Sequence, residues 1–201
     1  MDKMSKLTKR PVMKNILFIL IVLLSYIPVS AQITKSDQLF SNITTFDGKV
    51  VFVKEIKLKD NNLEKSYLTL KEWGKFNFAK DPFNSSINYD DKNRKITARS
   101  RIELLLPENG KSIREKHIMK YRLDAFIKDN LCIVEITTIS YINDAKANNN
   151  TLPQKIKAED LITDKGISIN DSNKDTRLNI RKNTVYFFND LVNSLQNVLN
   201  Y

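Results

Sequence analysis

Hydrophobic and polar positions repeat with two different periods along this chain, and the period changes where one element ends and another begins. Residues 47–58, DGKVVFVKEIKL, combine a turn signal with alternating β-branched and aromatic side chains, which is typical of a strand. Lys54 interrupts the apolar side of this strand and predicts a bulge. Residues 62–78 instead repeat apolar side chains at helical spacing, with Asn61 as the predicted N-cap and Pro82 as the stop signal.

The middle of the chain predicts antiparallel strands. Residues 96–104, ITARSRIEL, alternate apolar and polar side chains between two turn sequences. The segments 117–128 and 131–141 are separated only by Asp129 and Asn130, which tolerate positive φ, so they predict a tight hairpin. By parity, one set of hairpin side chains faces the core: Leu123, Ala125, Ile127, Cys132, Val134 and Ile136.

The last third of the chain starts with a shift to Asn, Asp and Lys. Residues 142–182 are predicted to form a long polar loop with one short helical stretch at 158–162. From Val185 onward, apolar residues at helical spacing predict a closing amphipathic helix. An antiparallel sheet with two amphipathic helices packed on one face buries all these stripes, so the predicted fold class is α+β in the order β-α-β-β-β-β-α.

The first 31 residues predict a signal peptide. Basic residues precede an uncharged run from Ile16 to Gln32, whose apolar part is shorter than the roughly 20 residues that a membrane-spanning helix needs. Pro28 and the small residues after it predict cleavage between Ala31 and Gln32. The alternative is an uncleaved leader, which would hold the chain at a membrane.

Removal of the leader leaves a loose N-terminal lead at 32–46 and a single domain at 47–201. Cys132 is the only cysteine, so no internal disulfide can form, which suits a bacterial periplasm. The net charge of +10 falls to +6, because five of the 33 basic residues and one of the 23 acidic residues lie in the leader. The remaining charge is dispersed, which is typical of a solvated surface, and no nucleic-acid partner is expected.

Several segments together resemble a known family. They are DGKVVFVKEIKL, LTLKEWGKFNF, ITARSRI, YRLDAFIKDNLCIVEITTISY and AEDLI. They are similar to the exported bacterial family of unknown function with a TATA-binding-protein-like fold (DUF4468), over about residues 47–200. The resemblance implies this fold and export to the periplasm or cell envelope of a Gram-negative bacterium. It implies no active site, because the shared motifs are structural.

The sequence predicts no catalytic residue, cofactor or metal ligand. His117 is the only histidine and has no second His or Cys nearby for a zinc site. Cys132 lies on the core side by parity, so we interpret it as a small buried side chain rather than a nucleophile. Asp90 and Asp91 are adjacent in a turn and do not converge as an acid/base pair would. Glycine-rich phosphate loops, GxSxG and HExxH are absent from the sequence.

The outer face of the predicted sheet is the one unusual surface, because it mixes guanidinium groups with apolar area. Its predicted members are Arg99, Arg101, Arg122, Phe126, Leu131 and Ile133. We expect a non-enzymatic module that uses this face to contact an envelope protein or a second copy of the chain, and an anionic or extended ligand is the second hypothesis. A hydrolase with dispersed catalytic residues and a nucleic-acid binder, which export disfavours, are the alternative functions.

Overall fold

The computed structural model describes residues 40, 42–59, 61–106, 116–143 and 154–201. Within these ranges the chain forms an α+β domain, which confirms the predicted fold class. The strands are β1 (Thr44–Phe46), β2 (Lys49–Lys57), β3 (Ser85–Asp90), β4 (Lys95–Leu105), β5 (Lys116–Lys128), β6 (Leu131–Asn143) and β7 (Lys155–Lys157). The helices are α1 (Leu63–Phe78), α2 (Ala158–Leu161), α3 (Asp164–Ser168) and α4 (Lys174–Asn200).

The strands form one antiparallel sheet in the order β1-β2-β6-β5-β4-β3, and β7 pairs with the far end of β6. The predicted hairpin is confirmed, because Asp129 and Asn130 alone join β5 to β6 with φ values of 48° and 63°. Positive φ at both central residues is what a type I′ turn requires, and this turn suits the twist of the flanking strands. In the resulting register Leu123 lies opposite Ile136.

One face of the sheet carries the core. All six hairpin residues predicted to face inward are buried, as parity required. Helix α1 adds Tyr67, Leu70 and Trp73 to this core, and α4 adds Phe188 and Leu195. The two long helices also contact each other, since the indole Nε1 of Trp73 donates to Ser194 Oγ at 2.9 Å. The opposite face of the sheet therefore stays outside the core.

Two local expectations in the first half of the domain are wrong. The N-cap of α1 is Asn62 rather than Asn61, and its side chain accepts a hydrogen bond from the Lys65 N–H at 3.0 Å. Lys54 marks no bulge, because the register between β2 and β6 is continuous through it. Its side chain lies on the core side and is buried.

The segment at 32–46 is not loose over its described part. Residues 44–46 form β1, which pairs with β2 across a turn at Asp47 and Gly48. Before this strand, the Phe40 N–H donates to Asn189 Oδ1 at 2.8 Å, and Asn189 Nδ2 donates to the Phe40 carbonyl at 3.0 Å. All three β1 side chains are exposed, so the sequence of this strand does not alternate between apolar and polar residues and gives no strand signal.

The prediction of a polar loop at 142–182 is also wrong for the described parts of that range, residues 142–143 and 154–182. Residues 144–153 lie outside the described residues. Strand β6 continues to Asn143, and β7, α2 and α3 follow before α4 begins at Lys174. The predicted helical stretch at 158–162 corresponds to α2, where Glu159 Oε1 accepts from the Val50 N–H at 2.8 Å. The first turns of α4 bury Arg177 and Thr184 beside Ile180. Because two of these buried side chains are polar, the sequence shows no regular spacing of apolar residues there, and the start of the helix was not predicted.

The leader and its predicted cleavage between Ala31 and Gln32 lie outside the described residues. In the described ranges, none of the helices combines the length and apolar character needed to cross a bilayer.

Candidate binding site on the outer sheet face

The six residues predicted from parity share the outer face of the sheet but lie in two separate parts of it. Arg99 lies opposite Arg122, and Phe126 lies opposite Ile133 in the strand register. Arg99 and Arg101 are exposed, whereas Arg122, Phe126, Leu131 and Ile133 are half-buried. The six side chains therefore differ in their exposure to solvent, although they lie on the same face of the sheet.

Asp124 divides this face into two parts. Its carboxylate is buried and accepts hydrogen bonds from Arg122 Nε at 2.6 Å, Thr97 Oγ1 at 2.7 Å and Lys95 Nζ at 2.8 Å. Burial by itself would raise the pKa of Asp124, but the hydrogen bonds from Arg122, Lys95 and Thr97 outweigh it and hold the pKa well below the ordinary value. Arg122 is thus committed to Asp124 and is less available to a ligand than Arg99 and Arg101.

On one side of Asp124 the face carries several apolar side chains, which alternate across the strands with charged ones. Phe126 and Ile133 form a cross-strand pair next to Leu131, and Val53 on β2 is 52% exposed. These side chains make up the apolar end of the face. In the register, Lys95 lies opposite Phe126, and its ammonium group, which contacts Asp124, marks the boundary of the apolar end.

On the other side of Asp124 a β-bulge interrupts the sheet. Lys120 pairs with Ser140 and Arg122 pairs with Thr137, so one extra residue of β6 has no partner on β5. Thr138, in this bulge, has a φ of 55°, an unfavourable value for a β-branched residue. The bulge lies in the wall of a cleft that opens at this end of the face.

The cleft has a volume of about 430 Å³ and four exposed cations in its lining. We call it the basic cleft, and its charged members besides Arg122 are Arg99, Arg101, Lys120 and Lys155. None of these four forms an ion pair with another residue of the described ranges, and no acidic side chain of those ranges lines the cleft. Among the described residues, positive charge without an ion-pair partner is therefore concentrated here.

Sequence reasoning missed Lys120 and Lys155 as members of this site. Lys120 alternates with Arg122 on β5 and could have been assigned to the same face by parity. Lys155 has no comparable signal, because it reaches the cleft only through the pairing of the three-residue strand β7 with β6. The pairing could not be predicted, because the sequence analysis assigned β7 to the long polar loop that follows β6.

An aromatic side chain stands at the rim of the basic cleft. Phe83 is 96% exposed, on a turn that Asp81 organises. The Asp81 carboxylate accepts from the N–H groups of Phe83 and Asn84 at 3.1 and 3.3 Å, and from Asn84 Nδ2 at 2.7 Å. The hydrogen bond from the Asn84 side chain lowers the pKa of Asp81, so the charged form that holds the turn is favoured. The Asn84 carbonyl accepts from the Arg101 N–H at 2.7 Å and ties the turn to β4.

The other chemically notable residues do not build a reactive site in the described ranges. Cys132 is buried, and burial raises the pKa of its thiol to about 12, so the thiol is protonated at neutral pH. Asp90 accepts from the Asn93 backbone, while Asp91 accepts from Tyr67 and Lys71 at 2.8 Å each, so the two carboxylates serve separate contacts.

His117 is buried, and no group of three or more His, Cys, Asp or Glu side chains in the described part of the chain is arranged to hold a metal ion.

Residues 52–142 match the model of a family described as a domain of unknown function (DUF4468) with TBP-like fold. The resemblance to DUF4468 is confirmed. The matched segment runs from β2 to β6 and contains most of the basic cleft. Lys155 lies outside it, and none of the curated proteins matches this chain significantly.

Two crystal structures share the fold of this DUF4468 segment and its surroundings. A TBP-like protein from Parabacteroides distasonis superposes with a TM-score of 0.68 at 24% identity, covering 78% of this chain and 96% of its own. A DUF4468 family protein from Bacteroides ovatus gives a TM-score of 0.66 at 22% identity, covering 81% of this chain and 93% of its own. At these identities the likeness establishes the TBP-like fold and nothing about a ligand.

Proposed function

We propose that this chain is an exported, non-enzymatic binding module of the bacterial periplasm or cell envelope that takes an anionic ligand in the basic cleft. The observation that carries the proposal is the convergence of Arg99, Arg101, Lys120 and Lys155 without an acidic neighbour in the described lining. The expected contact with an envelope protein or a second copy stays a prediction for the apolar end.

Electrostatics favours an anion at this place. Arg101 and Lys120 are direct cross-strand partners, and Arg99 and Arg122 form the neighbouring like-charged pair. Like charges directly opposite each other destabilise a sheet, and only the Arg122 side of these pairs is compensated within the described residues. A bound anion would relieve this repulsion. Guanidinium groups also suit oxyanions, because their planar N–H forks donate two parallel hydrogen bonds.

The lining supports binding rather than catalysis. Its described residues include Ser86 and Thr138, whose exposed side chains carry hydroxyl groups that can donate to an anion. A nucleophilic hydroxyl needs an adjacent general base, and this part of the lining contains no His, Asp or Glu side chain. We therefore assign the hydroxyls a role in holding a ligand.

Thermal unfolding of the exported protein in matched ionic strengths of chloride, sulfate, phosphate and pyrophosphate tests the proposal. A ligand that binds only the folded state raises Tm, so multivalent oxyanions should raise it above the value in chloride. The double variant Arg99→Gln/Arg101→Gln should lose this rise. Lys49→Gln/Lys57→Gln is the matched control, because it removes two exposed charges from β2 and should keep the rise. The same rise in all three proteins, or none in the parent, would contradict an anion site in the cleft.

A further inference from the structure

We infer that the ligand of the basic cleft is a phosphate ester with an apolar group, whose phosphate lies against Arg99, Arg101 and Lys120 and whose apolar group lies against Phe83. This inference rests on the proposed function and goes beyond it by naming the chemical class of the ligand. It follows from the number of cations, the hydrogen-bond donors, the size of the cleft and the exposed ring.

The number of cations selects the charge of the ligand. Arg99 and Arg101 are two residues apart on β4, so their Cα atoms are separated by about 7 Å on the same face. Lys120 lies directly opposite Arg101, and Lys155 also lines the cleft. A carboxylate would neutralise only one of these four charges. A phosphate monoester carries nearly two negative charges at neutral pH and offers three acceptor oxygens to them.

The wall of the cleft supplies further donors at a strained position. Ser85 and Ser100 share a hydrogen bond of 2.9 Å between their hydroxyls on the core-facing side of β3 and β4, so they do not count among these donors. Thr138 is exposed in the bulge, with its unfavourable positive φ, and Ser86 is exposed on β3. Residues in sparsely populated backbone conformations concentrate at binding sites, where the surrounding structure holds them. The hydroxyls of Thr138 and Ser86 are thus available to phosphate oxygens.

The size of the cleft and its rim select the rest of the ligand. A volume of about 430 Å³ is larger than a phosphate ion needs and lies within the range of small-molecule sites. Phe83 borders this space with its ring exposed to water, on a turn tied down by Asp81. An aromatic ring held in this way gains by covering an apolar or aromatic group of the ligand. Inorganic phosphate would leave this ring unused.

Calorimetric titration of the exported protein with inorganic phosphate and with phenyl phosphate tests the inference. Phenyl phosphate should bind about fivefold more tightly than phosphate, because its ring is covered by Phe83. Phe83→Ala should abolish this preference, because it removes the ring that would cover the phenyl group. Phe46→Ala removes another exposed ring, from β1, and should leave both affinities unchanged.

Failures of the two proposals are distinguishable. Equal affinities for phosphate and phenyl phosphate, with an unchanged result in Phe83→Ala, would overturn the ester inference and leave the anion site intact. Absence of any binding that depends on Arg99 and Arg101 would overturn both.

A third arm uses phosphatidylcholine vesicles with and without phosphatidylglycerol. Retention on the anionic vesicles that phenyl phosphate reverses supports a lipid headgroup as the ester. Binding of phenyl phosphate without vesicle retention supports a soluble ester.

Discussion

At the residue scale, Asp124 organises the centre of the outer face. It is a buried carboxylate on the side of the sheet that faces water, and it holds Lys95 and Arg122 at 2.8 and 2.6 Å. These contacts engage the Arg122 guanidinium, although Arg122 lines the cleft, and they lie between the basic end and the apolar end. Asp124 is therefore a positioning residue for the site, although it touches no proposed ligand.

Replacing Asp124 by Asn tests this role through stability and its pH dependence. The variant should unfold about 2 kcal/mol more easily at pH 7, because it loses hydrogen bonds between charged groups. The folded-state pKa of Asp124 lies below its unfolded value, so its contribution is complete above about pH 4 and fades as the pH falls towards the folded-state pKa. Urea unfolding at pH 7 and at pH 3 should show the difference between the two proteins narrowing.

The control for this measurement is Asp129→Asn, which changes an exposed carboxylate in the β5–β6 turn and should alter stability little. A difference between parent and Asp124→Asn that is equally large at both pH values would refute the assigned ion pairs.

Parity alone could have identified part of this arrangement. Arg122, Asp124 and Phe126 alternate on one face of β5, so the sequence placed a carboxylate two residues from the arginine. Whether Arg122 would turn to Asp124 or remain open depended on Lys95 and Thr97, which the register brings from β4. That register is a long-range property, and for this reason the sequence alone did not distinguish Arg122 from Arg99 and Arg101.

At the scale of elements, α4 is fixed to the sheet by a polar contact inside the core. Tyr141 on β6 and Thr184 on α4 are both fully buried, and their hydroxyl oxygens are 2.9 Å apart. Burial raises the pKa of Tyr141, so its hydroxyl stays protonated and able to donate. The other described contact of the Thr184 hydroxyl is the weak acceptor Met119 Sδ at 3.8 Å.

A double-mutant cycle measures this contact. Tyr141→Phe should lower the free energy of unfolding by about 1.5 kcal/mol, because it leaves a buried hydroxyl without its strong partner. Adding Thr184→Val should cost less than the sum of the single changes, with a coupling energy of about 1 kcal/mol in denaturant unfolding. Tyr186→Phe on the exposed side of α4 is the control and should change little. Strict additivity of the two buried changes would show that the hydrogen bond contributes nothing.

The elements that could be predicted are those with local signals. The turn at Asp129 and Asn130 and the alternation on both sides of it define the β5–β6 hairpin without reference to the rest of the chain. By contrast, β7 has three residues, and the first half of α4 buries Arg177 and Thr184 among its apolar residues. The bulge at Thr138 also lacks a signal, because threonine favours regular strands. The cleft depends on two of these missed features, the strand β7 and the bulge at Thr138.

At the scale of the whole molecule, the sheet has one face covered by helices and one face outside the core. The apolar periods of the strands and the two long helices predicted the covered face, and the fold shared with the two crystal structures agrees with it. The open face carries no regular apolar period from which its shape could be predicted. The charged residues of this face could be listed from the sequence. Which of them lie close together could be seen only from the complete register of the sheet.

The prediction of export also belongs to the scale of the whole chain. We predict that protein recovered from the periplasm or cell envelope begins at Gln32, because the short apolar leader is removed after Ala31. N-terminal sequencing or intact mass measurement of the recovered protein checks this. Recovery of a chain that still begins at Met1 would place the domain on a membrane anchor instead.

The most direct test of the central claim is a map of backbone amide shifts of the isotope-labelled exported protein during titration with pyrophosphate. An anion site in the basic cleft predicts saturable changes confined to its walls on β3 to β6 and at β7, with Arg99, Arg101, Lys120 and Thr138 among the most affected. The apolar end around Ile133 and the exposed positions of α1 should stay unchanged. Changes scattered over the lysines of the whole surface, or the absence of saturable change in the cleft, would contradict the account.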